Sequence, residues 1–187
     1  LGDTKLDNLK KIKDIFSDYK NNSQVQDCYI CKIEINKKLN KLTIILKTEQ
    51  FVQIKDMWDF EKYLTERFKI RDIEMIFTYN ENTKIPEVKD EWKNIICYMA
   101  HKHPLMKPIL LMKSTIEVEN NNINVKMHIK GADFLKSRKT DKQVEITIKN
   151  LLGKEYKVNL EEQISKEELK RQEENNRLLE EKLIRDR

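Results

Sequence analysis

The sequence predicts an α+β fold: two small units of helix-hairpin-helix-strand, followed by a charged C-terminal helix. Three observations carry this reading. Apolar residues alternate with polar ones in paired runs, the period of half-buried strands. Apolar residues at three- and four-residue spacing stand before and after each pair, the period of amphipathic helices. The same order then recurs on either side of a polar, proline-ended segment, residues 80–86 (NENTKIP).

In the first unit, Leu6, Leu9, Ile12 and Ile15-Phe16 predict a helix over residues 5–19, which Asn21, Asn22 and Ser23 end. Cys31, Ile33 and Ile35 predict a strand, residues 36–40 a polar turn, and Leu42, Ile44 and Leu46 its hairpin partner. Ile54, Met57, Trp58, Tyr63, Leu64 and Phe68 return to helical spacing. Ile73, Met75 and Phe77 give a third strand.

In the second unit, Val88, Trp92, Ile95-Ile96 and Met99 define a helix that His101 to Pro104 breaks. A short apolar helix is expected through Leu105, Ile109, Leu110 and Met112. Ile116 and Val118 pair across three asparagines with Ile123, Val125, Met127 and Ile129. Val144, Ile146 and Ile148 fit a strand, but Val144, Ile148, Leu151 and Leu152 fit one helical face, and Gly153 stands where a glycine cap would. Helix is the expected form, because a hairpin needs a crossover before a further strand can pair in parallel. Tyr156, Val158 and Leu160 are that strand. The division follows: a first domain over residues 1–80, a linker at 81–86, a second domain over 87–163 and a charged helix over 164–187.

The last run, residues 165–187, has no glycine, proline or capping residue at its end, and the chain opens on Leu1-Gly2 without Met. The expected context is a longer polypeptide that this module serves. The run carries seven basic and seven acidic residues, so the net charge of +5 belongs to the folded part. Apolar content of 39% against 37% charged allows a thin core. An odd count of three cysteines suggests a reducing cytosol, and no apolar run is long enough to span a membrane. The abundance of Lys, Asn and Ile with only two Ala makes the basic balance weak evidence for nucleic acid.

Chemistry-bearing constellations are few. Cys28 and Cys31 have the spacing of half a zinc site, with no second pair. Cys97 and His101 share a helical face near His103, where histidines more often complement the helix dipole. No glycine-rich phosphate loop or nucleophile-base pair is present, so neither a catalytic nor a metal site is expected. Lys136, Arg138, Lys139 and Lys142 form the densest basic cluster. It suits a phosphate backbone, an acidic partner, or simply a solvated helix face. Trp58 and Trp92 each lie on an apolar helical stripe, where core packing is expected before an interface role.

Several stretches resemble the N-terminal region of PolC-type DNA polymerase III, the replicase of low-G+C Gram-positive bacteria. They are KLTIILKTEQFVQIKDMWDFEKYLTERF (residues 41–68), VKDEWKNII (88–96), KPILLMKSTIEVENNNINVKM (107–127), and the segment from Phe134 through GKEYKV to the charged helix. The resemblance rests on pattern and segment order, and it implies two small domains ahead of an OB domain. The second would be KH-like and similar to the polymerase-binding domain of the clamp-loader tau subunit. The implied function is non-catalytic binding in DNA replication, with replisome proteins, tau among them, or DNA as partners, and without membrane or small-molecule substrate. Polymerase and 3′-5′ exonuclease chemistry, with its Mg²⁺, would belong to the parent beyond this segment, which itself needs no cofactor. Localisation would be cytoplasmic. The alternatives are a free-standing KH-like nucleic-acid-binding protein and a coiled-coil adaptor. Leu169, Leu178-Leu179 and Leu183-Ile184 argue against the last, since residues 172–177 hold no apolar side chain to sustain a heptad.

Overall fold

The computed structural model describes residues 9–21 and 23–165, and in the C-terminal run Lys170, Glu174, Asn175, Arg177, Leu178 and Glu181, all helical. The rest of the charged helix expected at 164–187, and residues 5–8 of the first expected helix, lie outside the described residues. The fold is mixed α+β, with two three-stranded sheets among the described residues.

The first sheet has the order β1 (Tyr29–Asn36), β2 (Lys41–Thr48), β3 (Asp72–Tyr79). β1 and β2 form an antiparallel hairpin with Ile33 opposite Ile44 and Ile35 opposite Leu42. β3 joins β2 in parallel, Ile44 against Met75 and Leu46 against Phe77. The crossover between them is α2 (Ile54–Phe68), whose Ile54, Met57, Phe60 and Leu64 are buried at helical spacing and share a core with Leu42, Ile44, Leu46, Ile73, Met75 and Phe77. Lys69 ends α2 in the left-handed conformation, its N–H bonded to the Thr65 carbonyl.

The helix expected over residues 5–19 is corrected to a single turn among the described residues, α1 (Ile12–Ile15). The competing demand is the edge of β1. Lys11 bridges Tyr29, the Ile12 N–H donates to the Cys28 carbonyl, and the Ile30 N–H donates to the Lys10 carbonyl. Backbone groups used in that ladder cannot also close helical turns. After α1, Phe16 and Tyr19 pack edge-on against Phe60, with ring centroids 5.6 and 5.0 Å apart. β1 carries a bulge at Cys31, and its Ile33 and Ile35, though on the core side of the sheet, are exposed.

The second sheet has the order β4 (Thr115–Glu119), β5 (Asn122–Met127), β6 (Lys157–Glu162). β4 and β5 are antiparallel, with Ile116 opposite Val125, and β6 runs parallel to β5, with Ile123 against Val158 and Val125 against Leu160. The crossover is α4 (Ala132–Ser137) and α5 (Thr140–Leu152). α5 is helical through the stretch that also fitted a strand, and Gly153 closes it with φ +68°. Ahead of this sheet stands α3 (Val88–Lys102), with Val88, Trp92, Ile95, Ile96 and Met99 buried.

The single short helix expected after α3 is two 3-10 turns, Pro104–Met106 and Pro108–Leu111. Pro108 disfavours helical backbone at the residue before it, and Lys107 takes φ +54° instead.

One core cluster runs through both sheets. The Tyr79 hydroxyl donates to the Leu151 carbonyl at 2.6 Å, and the Asn150 amide donates to Glu74 at 3.0 Å, joining α5 to β3. Lys102, at the end of α3, donates to the Ile73 carbonyl and pairs with Glu61 of α2 at 3.3 Å. The Tyr98 hydroxyl donates to the same carboxylate. The side chains of Lys102 and Glu61 are only 15% and 13% exposed.

Gly153 is where the C-cap meets the first sheet: a Cβ there would lie 3.2 Å from the Tyr79 ring, in a backbone conformation that favours glycine. Gly153→Ala is expected to lower stability by about 1–2 kcal/mol, read as a reduced urea midpoint at unchanged slope. His103, just past Lys102, is half-buried, and burial holds its imidazole below the ordinary value of 6.5. The neutral form is the one the fold accepts, so this contribution is complete above pH 6.5 and is lost as pH falls through 6.5 toward the depressed folded value. Stability should therefore decline between pH 7 and 5, and His103→Gln should flatten that decline in parallel urea titrations.

Candidate partner-binding surface

The four basic residues singled out by the sequence lie on one corner. Lys136 stands in the last turn of α4, Arg138 caps that helix, Lys139 joins it to α5 at φ +55°, and Lys142 is in the first turn of α5. The corner is built from both ends. At the start of α4, the Gly131 and Ala132 N–H groups donate to the Glu162 carboxylate at 2.7 and 2.9 Å, which holds that carboxyl below its ordinary range. A carboxylate there also meets the positive end of the helix. At the far end, Arg138 donates to the Leu105 carbonyl and the Thr140 hydroxyl to the Met106 carbonyl, each at 2.9 Å. These bonds fasten the first 3-10 turn to the corner.

The four cations are not equivalent. Arg138 is a structural group as well as a charge: besides its bond to Leu105 it lies 4.8 Å from the centre of the Phe134 ring. Lys142 pairs with Glu145 at 2.8 Å, and Glu145 also accepts the Val158 N–H at 3.0 Å. Lys136 and Lys139 are exposed and enter no ion pair among the described residues.

Beside them lies apolar surface, from Phe134 of α4 and from the segment where a short apolar helix through Leu105 and Ile109 was expected. Leu105 is 77% exposed, Ile109 52% and Phe134 42%. The signal was present in the sequence, since a two-proline segment, PLMKPIL, cannot close a regular helix and so cannot bury a full apolar face.

The remaining sequence candidates are dispersed. Cys28 is buried, its thiol pushed up to about 12 by that burial, while Cys31 is exposed in the bulge. Cys97 is exposed with its sulfur 3.9 Å from that of Met112, and the His101 ring packs against Trp58 at 4.6 Å. Among the described residues no group of three or more His, Cys, Asp or Glu is placed to hold a metal ion. No helix among them is long and apolar enough to cross a membrane. Trp92 is buried, as its stripe predicted, and its indole N–H points at the Leu111 carbonyl at 3.4 Å; Trp58 is only half-buried.

A family model described as DNA polymerase III polC-type N-terminus II matches residues 90–187, more than half of the chain. The chain belongs to this family. Comparison with curated proteins gives no significant match. The polC-type N-terminus II match begins within α3 and includes the whole α4–α5 corner and both 3-10 turns beside it. It assigns the chain to the N-terminal part of a replicative polymerase and to DNA replication. The N-terminus II region of that polymerase is non-catalytic.

Arg138→Gln is expected to cost about 1 kcal/mol of stability through the lost bond to Leu105 and the lost contact with Phe134. Lys136→Gln and Lys139→Gln should stay within about 0.5 kcal/mol of the parent chain. Chemical denaturation of the three variants checks the contrast.

Proposed function

We propose that this chain is a docking region of the polC-type replicase, without nucleotide-transfer or hydrolytic activity or a cofactor of its own, acting in the cytoplasm. Its second half, over residues 87–163, acts as a KH-like unit that binds a replisome protein, with the clamp-loader tau subunit as the first candidate. The first half, residues 1–80, holds that unit in place through their shared core, with 81–86 as the connection.

The observation that carries this reading is the exposure of Leu105, Ile109 and Phe134 beside Lys136 and Lys139. Apolar side chains gain nothing from a phosphate backbone, whereas a protein interface takes its affinity from such anchors and its selectivity from the charged rim. An acidic partner surface with an apolar centre fits both. Direct DNA binding is the second reading, supported by the two unpaired lysines; it uses the charges and leaves the apolar group idle.

Calorimetric titration of the full chain with the tau polymerase-binding domain, and with duplex and single-stranded oligonucleotides, separates the two. Protein docking predicts tau affinity that falls about tenfold or more in Leu105→Ser and Phe134→Ser, with a modest salt effect. DNA binding predicts a log–log salt slope of about −0.9 per phosphate neutralised on duplex, flattened by about two in Lys136→Glu with Lys139→Glu. Salt-steep DNA binding of that kind, with no tau binding, would replace the protein reading by the DNA one.

A further inference from the structure

A second surface lies away from the α4–α5 corner. Where α2 and α3 lie side by side, the connection at Lys84, Ile85 and Pro86 closes the end of a groove of about 620 Å³. That volume is in the range of ordinary ligand sites, roughly 300–1,000 Å³. Its floor is apolar: Phe51, Ile54, Trp58, Ile85 and Pro86. Trp58 is half-buried and held from behind by the His101 ring, so its orientation is set before anything binds. A fixed aromatic face needs little ordering on association.

The rim is electrostatically one-sided. Lys55 and Lys84 line the groove, are exposed, and have no hydrogen bond or ion pair among the described residues. Among the described residues the one carboxylate in the lining, Glu91, already accepts from the Asn94 amide at 2.8 Å. The groove also opens beside the first turn of α2, whose N-cap, Gln53, makes no side-chain capping bond; Asp56 in that turn is not part of the lining.

We propose that this groove docks a peptide segment of a partner protein that carries a bulky aromatic or aliphatic side chain flanked by carboxylates. The apolar side chain lies on Trp58 between the helices, and the carboxylates face Lys55 and Lys84. The site is separate from the α4–α5 corner, and most of its lining, Phe51 to Trp58 and Lys84 to Pro86, comes from outside the stretch that the family model matches. The reading of that corner can therefore fail without affecting this one.

The test uses the full chain and two fluorescently labelled, acetylated nine-residue peptides. Each has a central Phe-Leu pair, flanked in one by aspartates and in the other by lysines. Anisotropy titrations should give at least about tenfold tighter binding of the aspartate peptide. Trp58→Ala should weaken that binding about tenfold or more, the loss expected of an interface anchor. Lys55→Glu with Lys84→Glu, both on exposed positions that folding does not need, should abolish the preference between the two peptides. Lys136→Glu with Lys139→Glu should leave binding unchanged. In a Cys31→Ser background, the aspartate peptide should also slow alkylation of Cys97, which lines the groove and is exposed in the free chain. No binding of either peptide, equal binding of both, or loss through the Lys136 and Lys139 changes would overturn the proposal. So would self-association of the chain, seen by sedimentation and lost in Trp58→Ala, because the occupant would then be a second copy.

Discussion

The ammonium of Lys102 ties α3 to the first sheet and to the helix that covers it. It comes from the last residue of α3, yet its partners, the Ile73 carbonyl and the Glu61 carboxylate, belong to β3 and α2. A charge so nearly removed from water is tolerated only where it is matched by opposite charge and hydrogen bonds. Tyr98, one turn earlier on α3, donates to the same carboxylate, and burial together with Glu61 holds its phenol well above the ordinary value, so it stays a donor. The C-terminal end of α3 is therefore pinned against α2 and β3 through Tyr98 and Lys102. Both candidate surfaces follow from this. The groove above Trp58 is the space left between those helices, and α3 stops directly after Lys102, which delivers the two 3-10 turns to the α4–α5 corner.

The distribution of charge has the same inward logic. Glu61, Glu74, Glu145 and Glu162 are each engaged with lysines, amides or backbone N–H groups of the fold. The cations left facing solvent without ion-pair partners include Lys55, Lys84, Lys136 and Lys139. The net charge of +5 in a chain with 37 basic and 32 acidic residues thus includes cations left unpaired at both candidate surfaces.

Much of the fold was legible because its local patterns agree with its tertiary contacts. The β1–β2 and β4–β5 hairpins follow from strict alternation, and the end of α5 from Gly153. The misread elements are those whose backbone bonds go to partners distant in sequence, or whose geometry turns on one residue pair. The start of the chain around Lys10 to Ile12 is claimed by β1, and Lys107-Pro108 splits what apolar content alone suggests is a helix. Of the α4–α5 surface, the charges could be read but not their division into structural Arg138, paired Lys142 and unpaired Lys136 and Lys139. The groove left no trace in the sequence, since it exists only between α2 and α3, and each helix separately shows an ordinary apolar stripe.

The bond from the Tyr79 hydroxyl to the Leu151 carbonyl has a kinetic consequence. Each antiparallel hairpin closes through a short loop, whereas β3 and β6 join their sheets only after a helical crossover has formed, so the hairpins are the fast-forming parts. During synthesis the chain emerges from its N-terminus. The first sheet can then be assembled while the partner for Tyr79 and the helix that covers the β3 edge are still some seventy residues from emergence. Until α5 arrives, that edge is an open template for pairing with another strand. α5 both supplies the partner of Tyr79 and closes the β3 edge.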